Sequence, residues 1–352
     1  MVSVIVGLVA AVLIAILSGG ALVSRLRAFK AGQNISPDAP ASHAAKQGTP
    51  TMGGLIILFS TTVVTALYIV WDEVGTHRRE VQDFRLIPVL MVFLAFGCIG
   101  LADDVLSVTR GKNLGLRARE KFTIQVLAAA GFAAYLAASS QPGLTTSISI
   151  LPSVLINTMH VGQVVWDAGW LYFPLSILFL VGYSNATNMT DGLDGLLGGL
   201  SFIASTAMSA LLLPLQPDLS FFCAALAGGT LGFLWFNTHP ARVFMGDTGS
   251  LAIGAALATV AILGKQEVAV IVCGLVFWAE LFSVMVQVTV FKYRRRVHGL
   301  EYARAHRVFR RSPLHHHFEE CGIAETQVVG RFLIIGVVLA GVALLWLIGR
   351  IS

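Results

Sequence analysis

Ten stretches of apolar residues, most of them close to the length that crosses a bilayer, dominate this 352-residue chain. A membrane-spanning helix needs about 20 apolar residues and bonds all of its backbone polar groups internally. Only 12% of the residues are charged, against about 25% in soluble domains. We therefore predict an all-α polytopic membrane protein with about ten transmembrane helices, at 2–23, 53–71, 86–102, 122–138, 170–187, 195–213, 219–236, 250–264, 268–290 and 332–349.

Lysine and arginine are concentrated in alternate loops between these stretches. If the N-terminus lies outside, the inner loops hold 19 of the 24 basic side chains. The positive-inside rule then predicts that both termini lie outside. A basic inner face also favours anionic lipid headgroups and anionic substrates.

No separate soluble domain is expected, so residues 1–352 are interpreted as a single transmembrane catalytic domain. Alternating polarity within the outer segment 139–169 predicts a short hairpin. The chain has neither a Walker A motif nor a dinucleotide-binding glycine fingerprint, so a nucleotide must be held in another way. No nucleic-acid partner is expected.

Five acidic residues lie at three boundaries of the apolar stretches, all on the predicted inner side: Asp103, Asp104, Asp191, Asp194 and Asp247. Carboxylates gathered at a membrane surface attract a divalent cation, and Mg²⁺ completes its shell with substrate phosphate. The pair at 103–104 is expected at a helix C-terminus, where acids are unfavourable without a compensating cation. Either of the two could accept a proton. Asp247 opens the eighth span and is a candidate magnesium ligand.

The string NATNMTDGLDGL at 185–196 repeats polar residues every third position: Asn185, Asn188, Asp191 and Asp194. In a helix this spacing keeps the four side chains roughly on one face. Asn and Asp can read a nucleobase edge and ribose hydroxyls, although an ordinary N-cap would explain Asp194 by itself. The string predicts a nucleoside-binding segment.

The string FNTHPARVFMGDTGS at 236–250 surrounds Asp247. Phe244 could stack on a base, although simple packing explains a lone phenylalanine equally well. Gly246 lets the backbone approach a ligand closely. We interpret this loop as a second candidate ligand-binding segment.

Three weaker signals add cations and donors. His315, His316 and His317 in SPLHHHFEE lack the spacing of a zinc helix but could bind a diphosphate through imidazole N–H groups. Lys46 and Thr51 would place a cation and a hydroxyl beside phosphate. In the ninth span, Glu280 is expected to face the bundle interior or the interface, and Gln287 to lie near the site.

Together, AKQGTPTMGG, GLADD, NATNMTDGLDGL, FNTHPARVFMGDTGS and SPLHHHFE resemble the phospho-N-acetylmuramoyl-pentapeptide transferases. These form a bacterial branch of the polyprenyl-phosphate N-acetylhexosamine-1-phosphate transferases. The strings follow the family's order from residue 43 to 319, so the resemblance covers nearly the whole chain. PTMGG and PLHHHFE are the strings most specific to this branch.

The resemblance implies a multi-pass enzyme of the bacterial inner membrane with its active site at the cytoplasmic face. It would transfer phospho-N-acetylmuramoyl-pentapeptide from UDP-MurNAc-pentapeptide to undecaprenyl phosphate, releasing UMP and forming lipid I for peptidoglycan. It would depend on Mg²⁺. The oligomeric state stays open between a monomer and a homodimer.

Carried over by motif, the implied roles fall into four groups. Asp247 is implied as the metal ligand. Asp103 and Asp104 are implied beside the lipid phosphate, one of them as the base, with both kept as further candidate ligands. The uridine pocket is implied at Asn188, Asp191, Asp194 and Phe244. Further substrate contacts are implied at Lys46, Thr51, Lys121, Asn237, Gln287 and His315 to His317.

This chain departs from the family pattern at one position. The family usually has a basic residue four positions after the first aspartate of the pair, and here that residue is Ser107. Arg110 or Lys112 could substitute for it.

Two other functions stay open at this point. A sister enzyme would transfer N-acetylglucosamine-1-phosphate to the same lipid carrier, but the histidine string argues against it. A transporter for an anionic metabolite would place its charges near mid-membrane and show internal symmetry, whereas these acids gather at one surface and no repeat is apparent.

Overall fold

The computed structural model describes residues 1–29, 48–75, 85–110, 115–139, 144–150 and 165–345. Within those ranges the chain is almost entirely helical. The helices, numbered in chain order, are α1 Val2–Ala28, α2 Gly54–Gly75, α3 Leu86–Thr109, α4 Ala118–Ala138, α5 Tyr172–Thr190, α6 Leu196–Leu212, α7 Pro217–Asn237, α8 Gly246–Gly264, α9 Glu267–Cys273, α10 Leu275–His298, α11 Leu300–Ala305, α12 Leu314–Glu320 and α13 Glu325–Ala343.

Eight helices in the described ranges are long and apolar enough to cross a membrane: α1, α2, α3, α4, α7, α8, α10 and α13. The fifth and sixth predicted spans also form helices, α5 with 19 residues and α6 with 17. The prediction of an all-α polytopic membrane protein is confirmed. The count of ten spans and the outward termini stay predictions.

The predicted end of the third span is wrong. Helix α3 continues to Thr109, seven residues beyond the predicted end at 102, so Asp103 and Asp104 lie inside the helix. The reason is that a search for apolar residues stops at the first charges, whereas the helical backbone continues into the polar zone. An unfavourable helix end therefore does not account for this acidic pair.

The ninth predicted span is not one helix, because the chain breaks at Gly274 between α9 and α10. Tyr183 of α5 packs into the break, and its hydroxyl donates to the Val270 carbonyl oxygen at 3.1 Å. A Cβ atom on residue 274 would lie 2.0 Å from that hydroxyl oxygen. Only glycine leaves room for the tyrosine here.

The described parts of the segment 139–169 contain two short antiparallel strands, β1 Ser147–Ser149 and β2 Val165–Asp167. Ser147 pairs with Asp167 and Ser149 pairs with Val165. Thr146 Oγ1, next to β1, donates to Oδ1 of Asp167 at the end of β2 at 2.5 Å.

Helix α8 lies at the centre of the bundle, and every residue from Thr248 to Gly264 is buried. It packs chiefly against α3 and α5 and also contacts α2. Helix α2 approaches closely at Gly54, where a Cβ atom would lie 2.1 Å from the Gly249 nitrogen. Small residues allow helix backbones to approach this closely in membrane bundles. The first turn of α8 is thereby held between three helices.

Candidate active site

Four of the five aspartates converge around the first turn of α8. Gly100 brings α3 against this turn, since a Cβ atom there would lie 2.1 Å from the Asp247 carbonyl oxygen. Gly246 adopts φ +73°, and a side chain on it would meet the Asp104 carboxylate at 2.5 Å and the Thr51 hydroxyl at 2.6 Å. The two glycines thus let α3 and the PTMGG segment approach the start of α8.

Asp104 is buried and caps α8 from a neighbouring helix. Its Oδ1 accepts the Asp247 backbone N–H at 3.2 Å. Its Oδ2 accepts the Thr248 N–H at 3.0 Å and the Thr248 hydroxyl at 2.6 Å. Free N–H groups and the positive end of the dipole at a helix N-terminus stabilise a carboxylate. Both oxygens of Asp104 are therefore occupied by the protein itself.

Asp103 is only partly buried and has fewer internal partners. Its Oδ1 accepts the Leu116 N–H at 2.8 Å, and its carboxyl is also hydrogen-bonded to that of Asp247. A Cβ atom on Gly115 would lie 2.6 Å from Asp103 Oδ2. The segment before α4 thus folds over this acid and orients it towards Asp247.

Asp247 is held by side chains from α4 and α5. Lys121 forms an ion pair with its Oδ2. Asn188 Nδ2 donates to its Oδ1 at 2.7 Å and to Ser250 Oγ at 2.9 Å. Lys121 can reach it because α4 begins at Ala118, four residues before the predicted start of that span.

Asp191 follows the end of α5 and accepts the Gly246 backbone N–H. Burial, and then the negative charges of Asp247 and Asp104, raise the pKa of Asp191 to about 8. Like charges at short range disfavour a further ionised carboxylate. Asp191 therefore keeps its proton near neutral pH, beside the three other acids and Lys121.

The expectation that residues 185, 188, 191 and 194 share one helical face is only half correct. Helix α5 ends at Thr190, so Asn185 and Asn188 are helical whereas Asp191 and Asp194 lie in the following turns. The glycines at 192 and 195 favour turns over a continuous helix. Asn185 donates to Gln125 Oε1 of α4 at 2.7 Å.

Asp194 belongs to a second group of polar side chains. Its Oδ2 bonds to His239 Nδ1 at 3.0 Å and accepts the Ala241 N–H at 3.1 Å. Glu325 Oε1 accepts the Asp194 N–H at 2.9 Å, and its Oε2 lies 3.8 Å from His239 Nδ1. The group ties the turn after α5 to the first turn of α13.

Asn237 braces the same turn. Its Oδ1 accepts the Gly195 N–H at 3.0 Å and its Nδ2 donates to the Val243 carbonyl at 2.9 Å. Asn237, a predicted substrate contact, therefore holds the backbone beside this turn through two hydrogen bonds.

Phe244 is partly buried and lies next to the PTMGG segment. Its N–H donates to the Pro50 carbonyl, and its own carbonyl accepts the Gly53 N–H, both at 2.8 Å. This pairing brings the Thr51 hydroxyl to the acidic centre. Lys46, the predicted cation of the same segment, lies outside the described residues.

The three histidines lie in α12 and point to different partners, as adjacent helical residues must. His315 is buried; its N–H donates to Glu280 at 3.2 Å, and its ring contacts Gly192. His316 Nδ1 bonds to Glu319 Oε2 at 2.7 Å. His317 Nδ1 accepts the Arg310 N–H at 3.2 Å. Of the three, His315 adjoins the turn that carries Asp191.

Glu280 is fully buried, as expected for an acid facing the bundle interior. Gln287 braces the loop before α12: its Nε2 donates to the Phe309 carbonyl at 3.2 Å, and its Oε1 accepts the Phe309 N–H at 3.0 Å. Arg110, one candidate substitute for the missing basic residue, donates to the Gly115 carbonyl at 3.0 Å. Lys112, the other candidate, is not among the described residues.

Sequence reasoning missed several residues that build this region: Gln125, His239, Thr248, Ser250 and Glu325. Thr248 could have been recognised, because it follows Asp247 at a helix start. Gln125 and Glu325 carry no local signal, since their roles depend on helices distant in the sequence.

Comparisons with known proteins agree with the motifs. Residues 86–265 match the family model described as glycosyl transferase family 4. Residues 46–58 match signature 1 of phospho-N-acetylmuramoyl-pentapeptide-transferase. The first range contains all five aspartates and the second contains PTMGG.

The chain is also similar to curated proteins that carry the name phospho-N-acetylmuramoyl-pentapeptide-transferase. The protein from Gemmatimonas aurantiaca is 44% identical, over 96% of this chain and 90% of the relative. Those from Halalkalibacterium halodurans and Geobacillus kaustophilus are each 40% identical, over 91% and 96% of this chain and 90% and 96% of the relatives.

Proposed function

This chain belongs to the phospho-N-acetylmuramoyl-pentapeptide-transferase family within glycosyl transferase family 4, and from that membership we propose how its acidic centre works. The protein is a multi-pass membrane transferase of lipid I synthesis. We assign UDP-MurNAc-pentapeptide as donor, undecaprenyl phosphate as acceptor and the bacterial inner membrane as its location. The observation that carries the mechanism is the convergence of Asp103, Asp104, Asp191 and Asp247 on the first turn of α8.

In this reaction a phosphate oxygen of the acceptor forms a bond to the sugar-linked phosphorus of the donor. The bond from that phosphorus to the oxygen of the nucleotide phosphate breaks, and UMP leaves. Several negative charges must approach one another. Positioning and electrostatic stabilisation supply most of the catalysis in phosphoryl transfer.

The residues present fit a magnesium ion. Asp103 and Asp247 place two hydrogen-bonded carboxyls side by side, and Lys121 pairs with this group of acids through a single ammonium. Mg²⁺ uses one or two carboxylates together with water and substrate phosphate. We propose that Asp247 holds the ion, which would offset phosphate charge when bound.

The second polar group is a poorer magnesium site. Ligand atoms of Asp194, His239 and Glu325 lie within 4.8 Å of one another. An imidazole nitrogen suits zinc and other transition metals, whereas Mg²⁺ selects oxygen.

Asp103 and Asp104 differ in their remaining capacity to accept a hydrogen bond or a proton. Both oxygens of Asp104 are occupied by the first turn of α8, so we propose that Asp104 positions Asp247. Asp103 is more accessible and keeps an oxygen without a backbone donor. We therefore propose Asp103 as the base that accepts a proton from the acceptor phosphate.

The remaining residues bind and orient the donor. Asn188 and Lys121 hold Asp247 in place, and Lys121 can also contact a phosphate. The turn 191–195 and Phe244 flank the start of α8, which suits a uridine beside a diphosphate. His315 adjoins Gly192, so we propose that it supports this turn from α12.

We expect replacement of Asp247 or Asp103 by Asn to lower turnover by at least about 100-fold, the usual scale for losing a preorganised electrostatic or acid–base group. Radiolabelled UDP-MurNAc-pentapeptide and undecaprenyl phosphate are incubated with purified protein, and UMP and lipid product are measured. EDTA should abolish turnover and Mg²⁺ should restore it. Asp104→Asn should lower both turnover and the thermal midpoint, because buried donors lose their partner.

Asp167→Asn, in the exposed hairpin, is the matched control and should keep normal turnover. Near-normal UMP release by Asp247→Asn would exclude Asp247 as the ligand. Activity in EDTA without added metal would exclude the magnesium dependence. Use of UDP-N-acetylglucosamine in place of the pentapeptide donor would assign the chain to the sister reaction.

A further inference from the structure

A cavity of about 360 Å³ lies at the polar end of α10, between that helix and the loop before α12. Four basic side chains line it: Lys292, Arg295, Arg307 and Arg311. The roles proposed above for the acidic centre use none of them. Small-molecule sites usually occupy about 300–1,000 Å³. This cavity lies near the lower end of that range, so it suits one small anionic group rather than a whole nucleotide sugar.

The positive charge of the cavity is largely uncompensated. Arg311 pairs with Glu320 at 3.4 Å. In the part of the chain that the structure describes, no carboxylate lies within 4.0 Å of Lys292, Arg295 or Arg307. Clustered cations repel one another, and a bound anion would relieve that repulsion. Guanidinium groups match phosphate with two parallel hydrogen bonds.

The wall of the cavity continues into an apolar surface. Val288 and Phe291 line the cavity beside the cations. Further along α10, Phe282, Met285 and Val286 are 52%, 53% and 43% exposed. In a membrane protein such exposed side chains face lipid tails. An occupant with a phosphate at one end and acyl chains at the other would contact both surfaces.

We propose that this cavity, named the α10 basic pocket after its lining residues Lys292, Arg295, Arg307 and Arg311, binds the headgroup of an anionic phospholipid. Basic pockets beside transmembrane helices are suited to such headgroups. Gln287 links this pocket to α12, because it lines the cavity and also holds the backbone of Phe309. A bound lipid would therefore steady the segment that leads to His315.

The test measures lipid binding to the full-length protein, without donor, so that it is independent of turnover. The protein is delipidated in a non-ionic detergent and titrated with phosphatidylglycerol, and bound lipid is counted by native mass spectrometry. Phosphatidylcholine, inorganic phosphate and undecaprenyl phosphate are titrated in parallel. We expect tighter binding of phosphatidylglycerol than of the other three ligands.

The pocket variant is Arg295→Gln with Arg307→Gln. The matched control is Arg296→Gln with Arg304→Gln, which removes the same charge from exposed positions that do not line the cavity. We expect the pocket variant to bind phosphatidylglycerol at least about tenfold more weakly, because each basic group near an anionic lipid contributes measurably. The control should change less than about twofold. Arg295→Lys with Arg307→Lys should retain most of the affinity.

Equal losses in the pocket and control variants would overturn the proposal in favour of diffuse surface attraction. Equal competition by inorganic phosphate would show a phosphate site without lipid selectivity. A loss confined to undecaprenyl phosphate would assign the pocket to the acceptor instead. None of these outcomes depends on the catalytic assignments of Asp103 and Asp247.

Discussion

At the scale of single residues, neighbouring acids have different hydrogen-bond partners. Asp104 is saturated by donors from α8, whereas Asp103 keeps accepting capacity beside Asp247. Sequence patterns treat the two as a pair, because both are aspartates at the edge of an apolar stretch. Their difference arises from burial and from which backbone N–H groups each one meets.

Asp191 predicts a pH dependence of stability. Its pKa is raised to about 8 in the folded protein and is about 3.9 in an unfolded chain. The folded state thus binds an additional proton between these values, so this contribution to stability is complete below about pH 4 and is lost as pH rises towards 8. The thermal midpoint of the protein in EDTA should fall between about pH 4 and 8 and level off above that, and Asp191→Asn should reduce that fall.

The control for this measurement is Asp167→Asn. Thr146 lowers the pKa of Asp167, which is exposed in the hairpin, so it does not titrate in this range. Its variant should show the same pH slope as the unchanged protein. An unaltered slope for Asp191→Asn would show that Asp191 does not hold the proton.

At the scale of elements, the site depends on helix backbones that approach more closely than side chains normally allow. Gly100 of α3 and Gly54 of α2 both touch the first turn of α8, at Asp247 and at Gly249. The N-terminus of α8 is thereby presented to Asp104 and Asp191 at once. These contacts require glycine at single positions, and the periodicity of apolar residues does not show which positions those are.

Gly100→Ala should disrupt the site. A Cβ atom there would lie 2.1 Å from the Asp247 carbonyl oxygen, a backbone atom that cannot move aside without shifting α8. Overpacking of this kind typically costs about 1–3 kcal/mol. We expect a lower thermal midpoint and a loss of most turnover, measured by unfolding in detergent and by UMP release.

Gly131→Ala on α4 is the matched control, since nothing lies within 4 Å of a Cβ atom there. Alanine favours a helix over glycine by up to about 1 kcal/mol, so this variant should be equally or more stable. Normal turnover by Gly100→Ala would show that α3 and α8 can separate without harm to the site.

At the scale of the whole molecule, we predict the membrane orientation from the distribution of charge. With 19 of 24 basic residues in the predicted inner loops, the loop before α13 should be cytoplasmic and both termini should be outside. Alkaline phosphatase fused after Gly322 should be inactive in cells, and the same enzyme fused at Ser352 should be active. The reverse pattern would invert the topology and place the acidic centre outside.

The helical class of the chain and its candidate acidic residues were predictable from the sequence. In lipid, an apolar stretch forms a helix because a helix satisfies the hydrogen bonds of its backbone internally. The charges of the loops predict the orientation across the membrane. The strings around Asp103, Asp191 and Asp247 identified the acids and the family. These features depend on neighbouring residues, which a sequence displays directly.

Only the tertiary structure decided how these acids are used. It extended α3 past Asp104, broke the ninth span at Gly274 and brought Lys121 to Asp247. It also separated Asp194 from the acidic centre by pairing it with His239. Each outcome depends on contacts between residues far apart in the chain, where close packing and hydrogen-bond geometry determine which groups meet.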